Sequence, residues 1–158
     1  MKATDEKPNT IPWPPIILAS TIAGGIALGW FVPLPWAVQP AADILQGVGI
    51  VAMVIAVILY SSAFTVMQRA RTNILPHRAA DQLVTSGPFA FTRNPIYLAN
   101  VFLIAGLGLA FANFWLVIAS VVCGLLEHRF GILREEAHLE HKFGKSWRDY
   151  RKRVRRWI

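Results

Sequence analysis

Cysteine is almost missing from this 158-residue chain. Cys123 stands alone, which excludes an intrachain disulfide and leaves no thiolate set for a metal cluster. Charge is scarce too: 16% of residues are charged and 54% are apolar, unlike an average soluble protein. Lysine and arginine are wholly absent from two of the five segments left once four apolar runs are marked out. Those runs are Ile16 to Val32, Ile44 to Val66, Ile96 to Ala112 and Phe114 to Leu126. Two basic residues precede the first run (Lys2, Lys7), four lie between the second and third (Arg69, Arg71, Arg78, Arg93), and ten follow the fourth. Under the positive-inside rule the three basic segments are cytoplasmic, so four crossings with both termini inside are expected.

A crossing helix needs roughly 20 apolar residues. The second run meets this easily, the first and third are near the lower limit, and the fourth is short enough to borrow Glu127 to Phe130. A charged residue there must face protein or water rather than lipid. The first run is longer than a signal-peptide core, Asp5 and Glu6 offset its flanking lysines, and no clear cleavage site follows, so it reads as a retained span. Gly25 and Gly29, in GxxxG spacing, suit close helix contact. The net charge of +7 flanks membrane segments and is expected to orient the chain and meet anionic lipid rather than nucleic acid. The partner implied is the bilayer itself, and the short chain suggests a bacterial inner membrane.

One domain is expected over 1–158: a cytoplasmic lead over 1–15 with Trp13 at the interface, two N-terminal spans over 16–66, and a polar and basic loop from Met67 to Asn94. Asn94 suits an N-cap and Pro95 a first helical turn, so the third span begins there, with free backbone N–H groups at its start. Only Asn113 separates the third and fourth runs, which predicts a tight hairpin. The fourth helix continues as a polar helix to Phe143, where Gly144 stops it. Ser146 and Asp149 resemble a capping box for one more helix, on which Trp147, Tyr150, Val154 and Trp157 form an apolar stripe expected at the membrane surface. The fold class is therefore all-α, a membrane bundle of about four spans with a C-terminal helical cap.

On a helical wheel starting at Arg129, Ile132, Leu133, Glu136, Leu139 and Phe143 share one face. Glu136 thus lies on an apolar stripe, and a carboxylate there needs a partner or a ligand. Arg129, two turns earlier, points the same way. His128, His138 and His141 lack the spacing of a metal site, and none is expected.

Residues Leu83-Val84-Thr85-Ser86-Gly87-Pro88-Phe89-Ala90-Phe91-Thr92-Arg93-Asn94-Pro95-Ile96-Tyr97 are similar to the LVTxGPYxxxRHPxY signature of the isoprenylcysteine carboxyl methyltransferases and their phospholipid methyltransferase relatives. The Glu135-Glu136 pair with Leu139, Phe143, Gly144, Trp147, Tyr150 and Val154 resembles the second family block, a glutamate pair followed by FGxxYxxYxxxV. Together the blocks cover residues 83 to 158, the family-like catalytic half. Asn94 departs from the usual histidine, and asparagine cannot titrate near neutrality, so a proton-transfer role there is lost.

The resemblance implies S-adenosylmethionine as methyl donor, held by Gly87, Pro88, Arg93, Asn94, Pro95, Tyr97, Glu135 and Glu136. It also implies an acceptor with a lipid-like tail that enters sideways from the bilayer. The acceptor expected is the carboxylate of an isoprenoid-like or lipid substrate, with a phospholipid amine as the alternative; a carboxylate is already ionised at pH 7 and needs only a cation, for which Arg129 is the candidate. An amine acceptor needs a base, with Glu136 or His128 as candidates, so Arg129 and Glu136 are the expected catalytic groups. Two other readings stay open at this point: an NADPH-dependent reductase like the membrane sterol reductases, and a non-catalytic scaffold whose basic C-terminal helix binds lipid or a partner.

Overall fold

The computed structural model describes residues 13–70 and 82–158. The lead up to residue 12, with Lys2 and Lys7, and the stretch 71–81, with Arg71 and Arg78, lie outside the described residues. Helix α1 runs Trp13–Phe31 and α2 runs Ala41–Arg69. A 3₁₀ turn at Gly87–Ala90 precedes α3, Pro95–Ala110. A continuous rod then runs from Phe114 to Phe143. It comprises α4 (Phe114–Glu127), a π-helical turn (His128–Ile132) and α5 (Leu133–Phe143). A last helix, α6, spans Lys145–Arg153. There is no strand among the described residues.

Helices α1 and α2 and the rod are long and apolar enough to cross a membrane. Helix α3 is equally apolar but has 16 residues, about 24 Å of helix at 1.5 Å per residue. The packing order is α2, α3, α4, α1, with α3 between α2 and α4. Small residues make the seams, since apolar helices in lipid associate through close packing rather than through water exclusion. Gly49 of α2 meets Gly106 of α3 so closely that a Cβ on either would lie 2.8 Å from the other's carbonyl oxygen. The Gly25/Gly29 pair faces Leu116 of α4 and Asn113 just before that helix, and Asn113 Nδ2 donates to the Gly25 carbonyl at 3.2 Å.

Asn113 makes the hairpin. Ala112 takes a left-handed φ of 55°, and the Asn113 side chain accepts from Leu116 N at 3.2 Å, capping α4. Gly144, at φ 49°, ends the rod where a side chain would be strained.

Three local expectations are corrected. The extended lead does not reach residue 15, because α1 takes up Trp13, Pro14 and Pro15; proline is tolerated in a first turn, where N–H groups have no partner. Trp13 stacks on Phe130 with ring centroids 5.5 Å apart. Helix α6 starts at Lys145 with no side-chain cap from Ser146, and it stops at Arg153. Its Trp147 and Tyr150 are each 2% exposed, so its apolar face lies on the protein itself.

Candidate functional site

The site is assembled from the loop before α3, the polar helix α5, α6 and the tail after it. Gly87, at φ 60°, opens the 3₁₀ turn directly against Val66 of α2, where a Cβ would come within 2.7 Å of a Val66 methyl. Buried Pro88 rigidifies that turn, and Thr92 Oγ1 accepts from Asn94 N at 3.2 Å, turning the chain into buried Pro95 and α3. These constraints aim Arg93 beneath α5 and α6.

Arg93 Nη1 lies 3.0 Å from Glu136 Oε1, and its guanidinium sits over the Trp147 ring, 5.5 Å from the centroid. Glu136 also receives Arg156 in a two-point contact, Nε to Oε1 at 3.0 Å and Nη2 to Oε2 at 2.9 Å. The residues after α6 run back along the loop. Arg93 N donates to the Arg155 carbonyl at 3.0 Å, and the Arg156 carbonyl accepts from Asn94 Nδ2 at 3.0 Å and Thr92 Oγ1 at 3.2 Å. Tyr150 completes the seam, donating to the Phe89 carbonyl at 2.7 Å. Beside it, Tyr97 of α3 donates to Glu135 Oε2 at 3.2 Å.

The charges follow from these contacts. Burial pulls the Arg93 guanidinium below its ordinary value, and Glu136 works against that pull. The hydrogen bonds to Glu136 raise Arg156. Burial pushes the Tyr150 phenol up to about 12.

A second polar cluster lies deeper in the bundle. Tyr60 of α2 donates to Asn100 Oδ1 of α3, and Asn100 Nδ2 donates to Glu127 Oε1 of α4. Glu127 is fully buried, facing protein as a charge in a span must.

The structure brings Gly87, Pro88, Arg93, Asn94, Pro95, Tyr97, Glu135 and Glu136 to one end of the bundle. It does not bring Arg129 to Glu136. Arg129 is exposed, and Glu136 is answered by Arg93 and Arg156. The cause is the π turn at His128–Ile132, between the two residues: a wide turn absorbs one extra residue and rotates the helix beyond it by about 100°. Asn94 sits at the N-cap position without a side-chain cap bond, its amide committed to the tail. Sequence reasoning missed Thr92, Trp147, Tyr150 and Arg156 as parts of this unit. The family-like block did contain Trp147 and Tyr150, but the stripe was assigned to lipid.

The groups present suit a ligand carrying both ammonium and carboxylate. Arg93 Nε and Trp147 Nε1 are buried without hydrogen-bond partners, while Arg93 Nη1 is held by its ion pair with Glu136. Glu135, next to Glu136 on α5, supplies acceptor oxygens. Buried donors left without acceptors are costly, and an incoming carboxylate would satisfy them.

A match to the phospholipid methyltransferase family spans residues 45–146, from α2 into α6. The chain belongs to that family, and with its long apolar helices it is an integral membrane protein of methyltransferase kind. It is also similar to an uncharacterized protein of Haemophilus influenzae, 33% identical over 63 residues, which cover 40% of this chain and all of that relative.

Proposed function

We propose that the protein transfers a methyl group from S-adenosylmethionine to a lipophilic acceptor at the cytoplasmic face of the membrane, in a bacterial inner membrane. The observation that carries this reading is the meeting of the two motif blocks in one unit that contains unanswered buried N–H donors beside an acidic side chain. Arg93 and Trp147, with the N–H groups of the first turn of α3, would hold the donor's carboxylate. Glu135 would accept from its ammonium or ribose hydroxyls. Both oxygens of Glu136 are already taken by arginines, so we assign it as a positioning residue that fixes Arg93 and the tail. The bound donor supplies a sulfonium methyl: the acceptor's lone pair bonds to that carbon while the C–S bond breaks and its electron pair stays on sulfur.

Of the two acceptor classes, the amine is favoured. A carboxylate acceptor needed Arg129 as its cation, and Arg129 is exposed away from the glutamates. The groups turned inward next to Tyr97 and Asn100 are carboxylates, Glu135 and Glu127. The acceptor's tail enters from the bilayer between helices.

Calorimetric titration of the folded protein with S-adenosylmethionine tests the reading. Binding is expected, weakened about tenfold or more by Glu135→Gln and unchanged by Glu140→Gln on the surface. No binding by the folded wild-type protein would overturn it.

A further inference from the structure

We propose that Glu127, Asn100 and Tyr60 form an amine-binding site inside the bundle that receives the protonated amine of an amphiphilic acceptor; the inference rests on the methyl-transfer reading above. Three helices converge on it. Tyr60 of α2 donates to Asn100 of α3, Asn100 donates to Glu127 Oε1 of α4, and there the chain ends. Glu127 Oε2 is buried and has no hydrogen-bond partner. Besides Asn100, the carboxyl is met by the Cys123 thiol one turn earlier, and neither of them is a cation.

Such a carboxylate is costly unless it takes up a proton or something positive answers it, and acidic groups within membrane bundles mark the paths of ligands and ions. Asn100 gives the carboxylate one N–H bond, to Oε1. An ammonium can bring both charge and N–H donors to the open oxygen.

The surroundings provide a way in. Helices α2 and α4 flank α3 without packing extensively on each other, and Asn100 reaches both. Helix α3 therefore separates them, and Tyr60, at the α2 end of this hydrogen-bonded row, is only partly buried. An alkyl tail lying over α3 on the Tyr60 side would stay in the hydrocarbon while its amine reached Glu127.

The same geometry leads toward the donor-binding end. The π turn starts at the residue after Glu127, and such turns recur at functional sites. Within it Gly131 lies against Tyr97, where a Cβ would come 2.8 Å from the hydroxyl that binds Glu135. Tyr97 and Asn100, three residues apart, share one face of α3. The carboxylate takes one N–H proton from the ammonium, leaving a lone pair on nitrogen. That pair forms the new N–C bond, the C–S pair stays on the donor's sulfur, and Glu127 later returns its proton to water.

The test uses the full chain in phosphatidylcholine nanodiscs, titrated with dodecylamine in the absence of any methyl donor. Binding is expected, weakened about tenfold or more by Glu127→Gln, restored in part by Glu127→Asp, and unaffected by Glu140→Gln. Equal affinity in the folded Glu127→Gln variant overturns the proposal, as does tighter binding of laurate than of dodecylamine. Free ethanolamine separates the sources: binding as tight as that of dodecylamine would assign the site to a soluble amine and overturn the amphiphile.

Should Glu127→Gln fail to fold, infrared difference spectra of the wild-type protein decide instead. A change in a buried carboxyl band on adding dodecylamine is expected, and its absence overturns the proposal. A parallel titration with S-adenosylmethionine separates the two claims. Lost donor binding with amine binding intact removes the methyltransferase reading; donor binding intact with amine affinity indifferent to residue 127 removes this one. With phosphatidylethanolamine as acceptor, Glu127→Gln raises KM and lowers kcat while donor affinity stays unchanged.

Discussion

Glu136 answers two guanidinium groups at once, one of them on a side chain only 8% exposed. Removing its charge strands Arg93 in a buried position, so Glu136→Gln should cost about 3 kcal/mol. Arg156→Gln removes charge-assisted hydrogen bonds from the more exposed partner and should cost about 2 kcal/mol. Thermal unfolding in detergent checks both, and the order of the two losses is the sharper result. Tyr150 gives a pH signature. Its phenol is raised from 10.0 to about 12, so the stability it adds is full below pH 10 and is lost as pH rises through about 12. The gap in unfolding temperature between wild type and Tyr150→Phe should therefore narrow over that window and stay constant below it. At this scale the sequence was half legible. Arg93, Tyr97, Glu135 and Glu136 were visible as chemistry because two motif blocks named them. Arg156 was not, because in a run of basic residues nothing distinguishes the one that turns inward.

The rod from Phe114 to Phe143 shows why helical arithmetic alone misplaced Arg129. A wheel advances every residue by the same angle, and a π turn breaks that rule without any marker in composition. The wide turn holds one residue more than an α-helix needs. Deleting Arg129, which is exposed, should restore a plain α-helix and leave Glu127 and Glu135 in place. Donor binding is then expected to survive, whereas deleting Leu125, inside α4, should rotate the helix beyond it, carry Glu135 out of register with Tyr97 and abolish that binding. Calorimetry on the two deletions, with helicity checked by circular dichroism, separates these outcomes. Survival in the first would also remove any required role for the Arg129 side chain. Gly131→Ala probes the same turn, since its methyl must push the Tyr97 hydroxyl off Glu135; about 1 to 3 kcal/mol is expected from such overpacking. The other elements were readable from local signals: Pro95 and Gly144 marked a start and a stop, and Asn113 marked the hairpin. The stripe on α6 was seen, but amphipathicity does not say whether an apolar face meets lipid or the rest of the chain.

For the whole molecule the four apolar helices and the placement of basic residues make a topological prediction. Val38 lies in the connection between α1 and α2 and is 80% exposed, and Lys152 lies on the exposed side of α6. In a Cys123→Ala background, single cysteines at Val38→Cys and Lys152→Cys should be labelled from opposite faces of sealed vesicles, residue 152 from the cytoplasmic one. Labelling of both from one side would overturn the orientation. The packing order also governs assembly. Helix α1 makes its seam with α4 rather than with its neighbour in sequence, α2. The first segment threaded into the bilayer therefore waits there unaccompanied, its notch of glycines open to acyl chains, until translation has delivered the strand of protein that fills it.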